Sequence, residues 1–111
     1  MKRVDLSLNS FLGFWYNLTI HADENTGILY KNMKSGGGEH CTCIEDLVQI
    51  TGATQSSFYR FYREATAKKY IASMNFNVKN KFYILNPEYI QVKGDATVGD
   101  LFKTTIIKTK Q

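Results

Sequence analysis

The stretch that decides the fold is Thr42-Cys43-Ile44-Glu45-Asp46-Leu47-Val48-Gln49-Ile50-Thr51-Gly52-Ala53-Thr54-Gln55-Ser56-Ser57-Phe58-Tyr59-Arg60-Phe61-Tyr62-Arg63. It holds two helix starts and one glycine turn. Thr42-Cys43-Ile44-Glu45 reads as a capping box, with the Thr42 hydroxyl on the N3 amide and Glu45 reaching back. Glu45 and Asp46 fall in the first turn, where the helix dipole favours anions. Ile44, Leu47 and Val48 stand at i, i+3 and i+4, one apolar face of a short helix. Thr51-Gly52-Ala53 ends it in a tight turn. Thr54 caps the next helix, which the pattern runs from about Gln55 to Tyr70.

Downstream, Ile71 to Phe76 reads as a strand, Asn77-Val78-Lys79-Asn80 as a turn, and Lys81 to Leu85 as the return strand. Asn86-Pro87 stops it. Upstream, Phe11, Leu12, Trp15, Leu18 and Thr19 lie near helical spacing and predict a buried helix over residues 9–21. Asp23 is expected to cap a second helical stretch with Ile28, Leu29 and Met33, although Gly27 sits inside it. Residues 1–8 read as a short polar arm. Residues 95–111 read as a tail, an extra strand or helix, punctuated by Gly94 and Gly99. The expected class is α+β, mainly α. Two helices joined by a three-residue turn and followed by a β-hairpin make a winged helix-turn-helix with a C-terminal hairpin wing. It would occupy residues 1–94, with the first helix as an N-terminal extension.

The 111 residues suit one domain. Hydrophobic residues at 43% and charged residues at 22% argue against wholesale disorder. The net charge of +4 is uneven. Residues 1–50 carry four Lys/Arg against six Asp/Glu, and residues 51–111 carry ten against four. The positive charge therefore belongs with the second helix and the hairpin.

On a helical wheel, Phe58, Phe61, Tyr62 and Ala65 form the core stripe of the Gln55 helix. Ser56, Tyr59, Arg60 and Arg63 gather opposite. Arg donates two parallel bonds to guanine, Gln55 suits adenine, and Ser and Tyr reach phosphates or base edges. A solvated helix with surface arginines looks much the same. Two features favour double-stranded DNA. The segment from Thr54 to Phe82 has six Lys/Arg against the single acid Glu64. Lys79 and Lys81 flank the expected wing tip.

The string Gly52 to Arg63 resembles the winged-helix replication initiators of small plasmids known as the RepL type, and more loosely the MarR-like regulators. Phe82-Tyr83-Ile84-Leu85-Asn86-Pro87-Glu88-Tyr89-Ile90, then Gly94, is similar to the wing-return strand of that family. The resemblance covers about residues 9–94. It implies a DNA-facing set of Gln55, Ser56, Ser57, Tyr59, Arg60 and Arg63, beside the capping Thr54, in a transcriptional regulator or replication initiator of phage or plasmid type. The family commonly has Gly where Lys69 stands.

Other readings are weaker. Ser35-Gly36-Gly37-Gly38 runs into Glu39-His40, without the Lys-Ser/Thr ending of a phosphate loop. His40, Cys41 and Cys43 have C-x-C rather than zinc-type spacing, so a thiol pair is expected in place of a metal. No nucleophile–base arrangement is evident; Tyr59 and Tyr62 lack an accompanying metal motif, and no enzyme activity or cofactor is expected. Asn17-Leu18-Thr19 matches a glycosylation sequon, which we treat as chance because no signal segment opens the chain. No apolar stretch is long enough for a membrane. The expectation is a cytoplasmic homodimer, with Phe11, Phe14, Trp15 and Tyr16 or the Ile106-Ile107 tail as its seam. The alternative is an interaction module that grips host polymerase or a replication protein.

Overall fold

The computed structural model describes residues 2–32, 38–75 and 81–90. Three helices precede a hairpin: α1 (Asn9–Ile20), α2 (Ile44–Thr51), α3 (Gln55–Ala67), β1 (Ile71–Asn75) and β2 (Lys81–Leu85). The protein is thus a small, mainly helical α+β fold. The strands pair antiparallel from Ile71 opposite Leu85 to Asn75 opposite Lys81. The expected turn at 77–80, Phe76 and the tail fall outside the described residues.

The turn between α2 and α3 forms as its sequence implies. Gly52 caps α2 in the left-handed region at φ 70°, and Thr54 Oγ1 accepts the Ser57 amide at 3.3 Å to start α3. The start of α2 is shifted by one residue from the expected box. Cys43 is the N-cap and makes no side-chain cap bond. Asp46, not Glu45, reaches back, and its carboxylate accepts the Thr42 amide at 3.0 Å. Burial alone would raise the Asp46 carboxyl, but bonds from Thr42 and Cys43 and the charge of Lys31 outweigh it and hold it below the usual range.

The helix expected after Asp23 does not form over residues 23–32, and Met33 lies outside the described residues. Asp23 caps a turn in its place. Its Oδ1 accepts the amides of Asn25 at 2.8 Å and Thr26 at 3.0 Å. Gly27 then takes φ 79°, with its carbonyl accepting the Leu85 amide. A side chain there would set Cβ 3.0 Å from the Leu85 carbonyl oxygen. Beyond it, residues 28–30 are extended, and single bridges join Ile28 to Ile84, Ala22 to Leu29 and Tyr30 to His40.

α3 stops at Ala67, three residues short of the expected Tyr70. Lys69 adopts φ 64°, alone among described non-glycine residues in being positive. The Lys69 amide bonds Thr66 O at 3.1 Å and the Tyr70 amide bonds Ala65 O at 2.8 Å, the Schellman pattern. Asn86 secures this corner. Its side-chain amide donates to Lys69 O at 2.8 Å, and its backbone amide to Tyr70 O at 2.9 Å.

The main core lies between the helices and one hairpin face. Leu18, Leu47, Phe58, Phe61, Tyr83 and Leu85 are fully buried. Phe61 sits 5.6 Å from the Phe11 ring and 5.8 Å from Phe14. Most of the high aromatic content is therefore packing. The opposite hairpin face buries Ala72, Phe82 and Ile84 in a second cluster. α1 departs from expectation in one respect: Phe11, Trp15 and Leu18 are buried, whereas Leu12 is 44% exposed. A seam built on Phe11 and Trp15 is excluded, since both belong to the core. No helix among the described residues is long and apolar enough to cross a membrane.

Candidate nucleic-acid interface

α3 separates its faces as the wheel implies. Phe58, Phe61 and Ala65 are buried. Tyr62 is half-buried, parallel to Phe58 and edge-on to Tyr83. Burial raises its phenol above the usual value, and a bond with Ser73 partly offsets this. Gln55, Ser56, Tyr59, Arg60 and Arg63 are exposed, as is Thr54, while Ser57 is half-buried and gives its amide to the cap. The open face therefore carries one carboxamide, one hydroxyl, one phenol and two guanidiniums. Neither guanidinium has a carboxylate partner among the described residues, so both keep their donors for an external acceptor.

The basic surface is narrower than the sequence count implies. Lys68 Nζ binds Glu64 at 3.1 Å and the Asp5 carbonyl at 2.6 Å. Lys69 is exposed, with its backbone alone held in the corner after α3. Lys81 is half-buried, with its ammonium 5.2 Å above the Tyr83 ring. Lys79 falls outside the described residues. The cations on the open face of α3 itself are thus Arg60 and Arg63, with Lys69 exposed just past its end.

The sequence reading missed how the arm is held. Residues 2–8 run across the end of α3 and onto the turn after β2. Glu64 accepts the Ser7 amide at 2.8 Å and the Ser7 hydroxyl. Those bonds, then Lys68, lower the Glu64 carboxyl. The Asp5 amide donates to the Tyr70 hydroxyl at 2.8 Å, and the Lys2 amide to Glu88 O at 2.7 Å. No local signal announces pairings 57 and 65 residues apart.

Cys41 is fully buried and Cys43 half-buried, both as free thiols. Burial, then Asp46, pushes the Cys41 thiol up to about 12, so it stays protonated at neutral pH. His40 meets the Tyr30 ring edge-on at 6.4 Å. Among the described residues no group of three or more His, Cys, Asp or Glu is placed to hold a metal.

No protein-family model matches the chain, and neither a curated protein nor a solved structure does.

Proposed function

We propose that the protein is a winged helix-turn-helix that binds double-stranded DNA through α3, as a phage- or plasmid-type regulator or replication initiator. The observation that carries this reading is the pair of unpaired guanidiniums, Arg60 and Arg63, beside Ser56, Tyr59 and Gln55 on the solvent side of a rigidly capped helix. Arg60 and Arg63 would read base edges or phosphates, Thr54 and the α3 amides would meet a phosphate, and Lys79 and Lys81 would follow the backbone from the hairpin. Two copies would double the contact with a symmetric site, so the reading includes a homodimer.

Selection of bound duplexes from a random pool, followed by anisotropy titration, tests it. An enriched palindrome is expected, with affinity falling steeply as salt rises. Arg60→Ala and Arg63→Ala should each cost about 1–3 kcal/mol where the residue reads a base. Salt-independent binding, or an unaffected double variant, would overturn the reading. A stoichiometric protein partner that survives nuclease would favour an interaction module.

A further inference from the structure

An open cavity of about 460 Å³ lies between α1 and the turn after β2. Small-molecule sites span about 300–1,000 Å³, so the size fits one. Three aromatic residues line it, Trp15, Tyr16 and Tyr89. Asp23 and Glu24, just past the end of α1, line it too, and no Lys, Arg or His does among the described residues. The walls are held before any ligand arrives. The Trp15 ring lies 5.9 Å from Tyr70, and Tyr70 meets Tyr89 edge-on at 4.7 Å. The Tyr70 hydroxyl is itself held by the Asp5 amide at 2.8 Å. Two of the three rings are thus fixed by a fourth ring behind them. Asp23 is fixed by its own turn. Its Oδ1 accepts the Asn25 and Thr26 amides and the Thr26 hydroxyl, and its side-chain bonds among the described residues all fall on that oxygen. Walls set in this way lose little freedom when a ligand enters.

Two kinds of wall set the chemistry of the ligand. An anion would face two carboxylates. A neutral apolar body would fill the aromatic part but dry the half-buried Asp23 carboxylate and give it no partner. A bare metal ion would use none of the rings. An ammonium group on an apolar body satisfies both walls, since aromatic faces attract a cation and the carboxylates add Coulomb attraction. We propose that this cavity binds a small organic cation, an ammonium group carried on an aryl or alkyl body. Asp23 and Glu24 hold the charged end, and Trp15, Tyr16 and Tyr89 take the body and the carbons next to nitrogen. No α3 residue lines the cavity among the described residues, so the site stands whether or not the protein binds DNA.

Trp15 is the sole tryptophan and lines the cavity, so its fluorescence reports occupancy. Titration of the full chain with benzyltrimethylammonium should give a saturable change that fits one site, and that weakens as salt rises. Benzyl alcohol, neutral, and benzenesulfonate, an anion, should each bind at least about fivefold more weakly. Asp23→Asn should weaken the cation about two- to fivefold, because asparagine keeps the oxygen that caps the turn and loses the charge. Tyr16→Leu should do the same, because it keeps apolar bulk and removes a ring face at a position 65% exposed. The exposed Glu24 contributes less, so Glu24→Gln should have the smallest effect. The absence of a saturable change overturns the proposal. So does a response to benzyl alcohol or benzenesulfonate that equals the cation's, or cation binding that Asp23→Asn and Tyr16→Leu both leave unaltered. If Asp23→Asn lowers the melting midpoint, the double variant Tyr16→Leu/Glu24→Gln carries the comparison, and unaltered affinity there overturns the proposal as well.

Discussion

Replacing Lys69 by Gly should stabilise this protein. The left-handed conformation at φ 64° costs a residue with a Cβ about 1–2 kcal/mol. Glycine escapes that cost but loses more backbone freedom on folding, about 0.5–1 kcal/mol. The difference leaves a net gain of about 0.5–1 kcal/mol for Lys69→Gly. The Schellman bonds and the Asn86 amide hold the backbone here whichever side chain is present, so the strain cannot relax by rotating away. Lys69→Asn should gain less than glycine, since Asn tolerates this region. Lys69→Ala should be near neutral, which separates conformation from loss of charge. Lys69→Val should destabilise, since a β-branched residue fits this region worst. Thermal and urea melts of the four variants provide the assay, with Lys69→Gly raising the midpoint by about 2–6 °C. An unchanged or lowered midpoint in Lys69→Gly, or an Ala variant as stable as Gly, would refute the reasoning.

Three further outcomes are expected. Tyr83 is fully buried, and its hydroxyl has no hydrogen-bond partner among the described residues, so Tyr83→Phe should keep or raise stability by about 1 kcal/mol in a urea melt; a marked loss would reveal a partner. Gly27→Ala should cost more than Gly52→Ala, because both have positive φ but only Gly27 faces a carbonyl oxygen at 3.0 Å; equal losses in paired melts would contradict this. Asp46 and Glu64 have lowered folded-state pKa values, so their contribution is present above about pH 4 and fades as pH falls through the folded values. Asp46→Asn should flatten the acid side of the stability–pH curve, and a curve of unchanged slope would speak against it.

The α2–turn–α3 unit was legible because its signals are local and agree: Gly52 for the left-handed cap, Thr54 for the next start, and one apolar stripe on α3. The hairpin was legible for the same reason. The capping frame at α2 was ambiguous, since Thr42 with Glu45 and Cys43 with Asp46 share one spacing. Asp46 is the one that also meets Lys31, at 3.9 Å, a residue far back in the sequence. Asp23 misled because a helix cap and a tight turn use the same carboxylate–amide bond. Only the bonds from Gly27 and Leu29 to β2 decide between them. Periodicity put Ser56, Tyr59, Arg60 and Arg63 on the outer face of α3, and all four are exposed, whereas Ser57 and Lys81 are half-buried and Lys79 lies outside the described residues. That Lys68, counted in the basic charge from Thr54 to Phe82, is tied up within the fold was not readable, because its second partner, Asp5, is 63 residues away.

The arm across α3 has a consequence for Arg60. Glu64 lies four residues after Arg60, the spacing at which a carboxylate and a guanidinium on one helix pair. Ser7 engages both Glu64 oxygens, and Lys68 shares one of them. The arm thus takes up the acid that would otherwise compete with an outside anion for Arg60. Shortening the chain before Leu8 would leave Lys68 on one Glu64 oxygen and open the other, which Ser7 had held, to Arg60. The arm acts as a chemical mask: it touches neither arginine, yet it keeps one of them uncommitted.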